Sequence, residues 1–397
     1  MTEAGPLAGV LVLDLSRALA GPHAAMMLAD QGARVIKVEA PETGDDTRGW
    51  GPPFIYPEHG ERESTYFLSC NRNKESIALD LKSEDGRQVV AELVRRADVL
   101  IENFRAGVLD RLGFDAARLQ QLNPRLVVLS ITGFGHDGPE GGRAGYDQIG
   151  QGEGGLMSVT GNRPDEPTKV GTPIADLIAG MYGAFGVLSA LHERARTGRG
   201  THVRTSLLAG MVGVHSYQGT RYTVAGEVAG PAGPHHSAIC PYGLFHAADG
   251  PIQIAVGSDR LWRAFAGAFG LDRPQWARNA DRVADQGAVI AAVEEVFASY
   301  SSEQLIQLLD GIGIPSGRVR RMDEVYDWAQ TRSQGLVISV DHPSIGTIEL
   351  PGPPLRYEPE PGRAGGRQHH QPPPTLNQHG EAIRAWLAAT AEDHLSR

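Results

Sequence analysis

A single carboxylate stands at the start of the most apolar stretch of the chain. In KVGTPIADLIAGMYGAFGVLSALHERARTGRG (Lys169–Gly200), Asp176 follows Thr172 and Pro173 and precedes an almost uncharged run. The pattern predicts a helix from about Pro173, whose first N–H groups and positive dipole end favour an ionised Asp176. Two readings follow: an acid at a helix N-terminus, or a carboxylate nucleophile. Gly180, Gly183 and Gly186 recur three apart and leave a smooth face that another backbone or a ligand can approach closely. A second group of reactive types lies in GGRAGYDQIGQGEGGLMSVT, where Tyr146 and Asp147 precede a glycine cluster. From Gly142 to Thr160 that passage is so rich in glycine that it reads as a shaped loop. Cationic side chains gather at Arg17, Arg72, Lys74, Arg105, Arg111 and Arg143. Each is an ordinary solvated residue on its own, but their placement on loops that follow strands suits a phosphate-bearing ligand.

The elements that must position these groups follow from periodicity. GVLVLDL, RALAGP, HAAMMLADQG and ARVIKVE, between Gly9 and Glu39, form a β-α-β unit. Its turn lacks G-x-G-x-x-G, which counts against NAD even though Glu39 ends the second strand. A short strand at Ser76–Leu81, a helix in SEDGRQVVAELVRRA, and strands in ADVLIENF and RLVVLSITGFG continue the alternation. The fold class is therefore α/β, with a doubly wound parallel sheet whose ligand crevice lies beyond the strand ends RALAGP, ENFRAG and TGFGHDGP. Residues 1–224 are expected to form this large domain, 225–238 a Gly/Pro-rich linker and 239–322 a smaller α/β domain; 323–397 forms a C-terminal segment with two short strands, a proline-rich arm and a last helix.

With 397 residues the chain is long enough for a large core, and its net charge of −10 argues against general affinity for nucleic acid. Cys70 and Cys240 lie far apart without metal-ligand spacing, so no disulfide framework or zinc site is expected, and a reducing cytoplasm fits. The N-terminus has no basic region before its apolar run. The stretch near residue 180 is broken by glycines, so neither a signal peptide nor a membrane span is expected. His235, His236, His369, His370 and His379 are not spaced with partners as a Ser-His-Asp set requires; His236, in HHSAICPYG, is the one to test.

Taken in order, VLDLSRALAGP, VIKVEAP with GDDTRGWGPP, NRNKESIALDL, ADVLIENFRAG with LDRLGF, NPRLVVLSITGFG, GGLMSVTG, IADLIAGMYGAFGVLSAL, CPYGLF, IAVGSDRLW, GIPSGRV and PPPTLNQHGEAI resemble a family III CoA-transferase, the CaiB/BaiF type, over nearly the whole chain. The resemblance implies a Rossmann-like large domain, a small domain, return of the C-terminal segment to the large domain and an interlocked homodimer. It places the nucleophile on Asp176 and CoA contacts near Lys74, Asn103, Phe104 and Arg111, with Arg17 and Arg72 as further cationic candidates. Arg17, Leu19 and Ala40 replace residues used by formyl-CoA transferase, which disfavours oxalate and formate and leaves succinate, malate-like acids or branched acids as substrates. The substrates implied are an acyl-CoA and a small organic acid, with coenzyme A entering only as substrate and no permanently bound cofactor or metal. Transfer would pass through an aspartyl anhydride and an aspartyl-CoA thioester. Backbone N–H groups of the loop around Gly152 to Gly155, Gly154 and Gly155 among them, are candidates for holding the oxyanions. The resemblance also brings the loop that HHSAICPYG follows toward the active site, which is the reason to test His236. In the related α-methylacyl-CoA racemases a histidine fills the place of Tyr146; a phenol with a pKa near 10 is a poor base at neutral pH, which favours transfer over racemisation. A packed aromatic is the alternative role for Tyr146, and acyl positioning is the expected role for Asp147. A non-catalytic CoA- or NAD-binding module is the remaining alternative.

Overall fold

The computed structural model describes residues 5–358, 367 and 369–395. They form two compact units, one made of residues 5–156, 170–220, 329–358, 367 and 369–395 and the other of 157–169 and 221–328.

The first unit is built on six parallel strands: β1 (Leu11–Asp14), β2 (Arg34–Glu39), β3 (Lys74–Ala78), β4 (Val99–Glu102), β5 (Val127–Thr132) and β6 (His202–Ser206), in the spatial order β3-β2-β1-β4-β5-β6. β1, β4 and β5 are buried at every position, as strands rich in Val, Leu and Ile require of a sheet covered on both faces. Alternate residues feed two cores. Leu13, Ile36, Leu100 and Val128 pack under helix α2 (Glu84–Arg96) and the C-terminal helix, whereas Val12, Val35, Ile101 and Leu129 pack under α1 (Ala20–Asp30) and α4 (Ile174–Thr197). Helix α2 starts as its sequence dictates, with the Ser83 side chain accepting from the Gly86 N–H, Glu84 and Asp85 in the first turn, and Arg95 and Arg96 in the last.

Helix α4 is long and apolar enough to cross a membrane by length and composition. Here its small-residue face is the seat on the sheet. A Cβ at Gly180 would lie 2.6 Å from the Ala20 carbonyl oxygen, at Gly183 2.9 Å from Leu129 and at Gly186 2.6 Å from Val203. The three glycines thus admit backbone and sheet side chains, not a ligand.

Residues 142–160 depart from the loop expected of them. They contain helix α3 (Asp147–Glu153) and a 3₁₀ turn at Leu156–Ser158. Low intrinsic propensity is overridden by packing against α5 (Leu207–Gly213): a Cβ at Gly150 would come 3.0 Å from the Leu207 Cβ, and one at Gly154 2.5 Å from the Met211 Cβ. Glycine is what lets these helices touch.

The second unit carries an antiparallel sheet, β7 (Tyr242–Ala247), β8 (Gly250–Ala255) and β9 (Ser316–Arg318), with β8 in the middle. Helices α6 (Asp259–Phe269), α7 (Gln286–Phe297) and α8 (Ser302–Gly311) enclose an aromatic core that includes Trp262, Phe265, Trp276 and Phe297. Arg282 is fully buried there, and its guanidinium donates to the Cys240, Trp276 and Ala277 carbonyls and to Asp259.

The C-terminal segment belongs to the first unit. Strands β10 (Val337–His342) and β11 (Gly346–Pro351) form a hairpin. The proline-rich arm then runs along β3, with His379 N–H donating to the Ser76 carbonyl at 2.9 Å and Asn73 N–H to the Gln371 carbonyl at 3.1 Å. This covers an otherwise open sheet edge. The final helix, α9 (Gly380–Leu395), sets Trp386 under the Arg34 guanidinium at 4.3 Å.

Candidate active site

The strand order reverses between β1 and β4, and side chains beyond their carboxyl ends border a common crevice. After β1 the chain turns sharply into α1, with Ala18 at φ 65°, a conformation a non-glycine residue holds only when its surroundings enforce it. They do so from three sides. The Asn103 side chain beyond β4 accepts from the Arg17 N–H at 2.9 Å and donates to the Arg17 carbonyl at 2.6 Å. Asp45 accepts from the Ala18 N–H at 3.1 Å. Lys37 donates to the Ser16 carbonyl at 2.8 Å and pairs with Asp45 at 2.8 Å.

Beneath this turn lies a compact set of buried charges. Lys74 bonds Asp14, Asn71 and the Pro22 carbonyl, and Glu39 bonds Arg48 and Ser76. Burial works against the Lys37 ammonium, but the carboxylates of Asp45, Asp14 and Glu39 outweigh it and hold its pKa above the ordinary value. Arg72 is equally committed, in a bidentate pair with Asp30 and a bond to the Pro351 carbonyl. Arg72 and Lys74, expected at a ligand, are therefore internal struts of the first unit, because each already has carboxylate and carbonyl partners away from solvent.

The opposite wall is α3 and the start of α4. Pro173 offers no side chain to cap α4, and Asp147 reaches across from α3 to do it. Its Oδ1 accepts from the Ala175 N–H at 2.8 Å and the Asp176 N–H at 3.4 Å, while the Gln151 amide holds Oδ2 at 2.7 Å. The cap thus falls to Asp147, and the Asp176 side chain is left for other use: among the described residues, no hydrogen-bond donor is recorded for its carboxylate. Asp176 is half-buried on a cleft of about 160 Å³ lined also by Arg17, Phe104, Arg105 and Tyr146. Desolvation, then the neighbouring Asp147 charge, push its pKa up from 3.8 to about 7.

The remaining expected residues divide sharply. Phe104 and Arg17 line the cleft and also an adjoining cavity of about 370 Å³ bordered by Ala40, Asp80, Lys82 and Leu112. Asn103 lines the cleft but spends its amide on the Arg17 backbone. Arg111 lies on the short helix Val108–Arg111 with its guanidinium folded toward Gly107, and lines neither space. Gly154 and Gly155 do not supply an oxyanion hole: their N–H groups donate to the Gly150 and Gly152 carbonyls at 2.9 and 3.0 Å. His236 belongs to the second unit, stacked on Tyr242 with ring centroids 5.1 Å apart. Tyr146 is 64% exposed at the cleft rather than packed.

Two residues near these spaces had no local signal. Tyr66, on the short helix Thr65–Cys70, has its phenol pushed up to about 12 by burial and then by the Asp176 charge, which places it in the field of that carboxylate. Lys82 follows β3 as one polar residue among several, and only the topology brings it to the adjoining cavity. Among the described residues, no group of three or more His, Cys, Asp or Glu side chains is arranged to hold a metal.

Known proteins match this chain along its length. The sequence profile described as CoA-transferase family III covers residues 7–380. Succinyl-CoA:glutarate CoA-transferase of Mus musculus is 37% identical over 382 residues, covering 95% of this chain and 85% of that protein. Acetyl-CoA:oxalate CoA-transferase of Acetobacter aceti is 36% identical over 392 residues, covering 97% and 96%. The crystal structure of a CaiB/BaiF family protein from Brucella suis superposes with a TM-score of 0.85 at 40% identity, covering 97% of this chain and all of the other. A doubly wound sheet with a crevice at its switch point is common to many enzymes, but agreement of sequence and structure over this length is not; the chain belongs to CoA-transferase family III.

Proposed function

We propose that Asp176 is the nucleophile of a CoA transfer between an acyl-CoA and a carboxylic acid. The observation that carries this reading is the half-buried Asp176 carboxylate on the cleft, with its helix capped by another acid. Desolvation leaves an anion more reactive than a hydrated one. The extended shape of CoA suits two spaces that share Arg17 and Phe104, with the nucleotide in the wider one and the thioester beside Asp176.

Carboxylate attack on the thioester carbonyl expels CoA thiolate and forms an acyl-aspartyl anhydride. The thiolate attacks the aspartyl carbonyl, giving an aspartyl-CoA thioester and releasing the first acid as its carboxylate. An incoming carboxylate attacks that thioester to form a second anhydride and thiolate. Attack of the thiolate on the new acyl carbonyl yields the product CoA ester and regenerates Asp176. Each step exchanges one acyl bond for another, and no net proton or electron is consumed.

The named relatives act on glutarate and on oxalate, so we extend the reading to a dicarboxylic acid; the oxalate enzyme returns oxalate to the acids to be tested. A homodimer is also proposed, because Met181, Phe185 and Leu188 on α4 and Val212 on α5 leave an exposed apolar face, Phe185 being 68% exposed.

Intact-mass analysis after mixing with succinyl-CoA tests the nucleophile. A covalent adduct in the wild type, absent in Asp176→Ala along with at least a 1,000-fold loss of transfer, is the expected result. Transfer retained in the variant overturns the assignment.

A further inference from the structure

Five charged residues line the Asp176 cleft, and four of them are accounted for. Asp176 is the reacting group. Arg17 and Asp46 lie 3.6 Å apart. Arg143 pairs with Glu153, approaches Glu140 at 3.5 Å and stacks over Phe134 at 4.5 Å. Arg105 differs: among the described residues its guanidinium has no recorded ion pair or hydrogen bond, although it borders the same small space. Its backbone is nonetheless held. The Val108 N–H donates to the Arg105 carbonyl at 3.0 Å, and the preceding Phe104 N–H donates to Glu102 at 2.8 Å, so the residue projects from a closed turn at the end of β4.

We propose that Arg105 is the seat of the second carboxylate of a dicarboxylic substrate. A one-acid substrate needs its carboxyl group at Asp176 and presents nothing else that is charged. A diacid brings a second anion into a partly desolvated cleft that already holds a carboxylate, and leaving that anion unpaired is costly. The planar fork of an arginine matches a carboxylate with two parallel hydrogen bonds, and among the described residues Arg105 is the cleft cation with no recorded carboxylate partner. The same seat serves both halves of the exchange, since a dicarboxylic acyl-CoA retains its distal carboxylate while the other end is esterified. This inference rests on the proposed transfer at Asp176 and adds the residue that sets the substrate class. An anion on Arg105 has a second possible source, a phosphate of CoA, and the test separates the two.

Wild type, Arg105→Ala and Arg105→Lys are assayed with acetyl-CoA as donor and with succinate, glutarate, acetate and butyrate as acceptors. A charge-assisted pair of this kind is worth on the order of a 10- to 100-fold change in binding. The ratio of kcat/KM for the diacids over the monoacids is therefore expected to fall by about 10- to 100-fold in Arg105→Ala and by less in Arg105→Lys, with KM for acetyl-CoA held. A rise in KM for acetyl-CoA, with diacids and monoacids affected alike, identifies a phosphate seat and overturns the proposal. An unchanged ratio in a wild-type-like diacid enzyme overturns the seat while leaving the reaction intact. No diacid preference in the wild type removes the substrate class, and no transfer with any pair removes the underlying reading as well. Because the side chain is exposed, equal thermal midpoints for the three proteins are expected to exclude unfolding as the cause.

Discussion

Two groups of charges meet at the same end of the central sheet and are treated in opposite ways. Under the β1 turn, Asp14, Lys37, Glu39, Asp45 and Lys74 are almost wholly removed from water, and each is paired. At the cleft beside them, among the described residues, Asp176 has no recorded hydrogen-bond donor and Arg105 no recorded partner, while both border open space. The first arrangement spends its charges on geometry: it holds Ala18 in a left-handed conformation and aims the Arg17–Ala18 backbone at the crevice. The second leaves its charges bordering the cleft, as the proposed transfer requires. A fold can desolvate an ion safely only by pairing it, so an unpaired half-buried ion marks the place where stability was surrendered to chemistry.

Breaking the paired set should have the largest effect on stability. Lys37→Met removes the cation shared by Asp45, Asp14 and Glu39 and leaves buried acids uncompensated; urea unfolding is expected to show a loss of about 3–5 kcal/mol. A loss under 1 kcal/mol would show that the set is as dispensable as a surface pair.

Neutralising the unpaired acid should act with the opposite sign. The folded pKa of Asp176 lies near 7, above the unfolded value near 3.8, so its contribution to stability is complete below about pH 4 and is lost as pH rises through 7. Asp176→Asn is expected to abolish transfer yet to be more stable than wild type at pH 8, on the order of 2 kcal/mol after screening by the open side of the cleft, with the difference vanishing near pH 4. Thermal melts at both pH values check this.

The smallest change comes from the neighbour. On the proposed mechanism Asp176 attacks as its carboxylate, so kcat/KM is expected to rise with pH to a plateau, half-complete near pH 7. Asp147→Asn keeps an oxygen for the Ala175 N–H but removes the charge, and should move that inflection about one unit toward acid. Desolvation, the larger cause, persists, so the inflection should remain above 3.8. An unmoved profile would mean that burial alone sets the shift.

Most of the fold was legible along the chain. The Val, Leu and Ile runs of β1, β4 and β5 announce strands buried on both faces, and Ser83 with its two acids announces the start of α2. Glycine misled where tertiary contact decides its meaning. Gly150 and Gly154 sit in and at the end of a helix because α5 crosses closely, a reason that lies 57 residues away. The site was half legible. Asp176, Tyr146, Arg17 and Phe104 do line one cleft. Arg72 and Lys74 do not, because a cation near a strand end looks the same in sequence whether it faces solvent or a buried Asp30 or Asp14.

The sequence by itself determined the alternation of strands and helices, the acid at the start of α4, and membership of its family, since each is written in periodicity or in ordered motifs. The tertiary structure decided which charges are spent and which are left. That Asp147 caps the α4 helix across 29 residues, that Tyr66 lies in the field of Asp176, and that Arg105 stands without a recorded partner among the described residues depend on distances between segments remote in the chain. Reactivity here is a matter of pairing and solvation, and both are properties of neighbours in space.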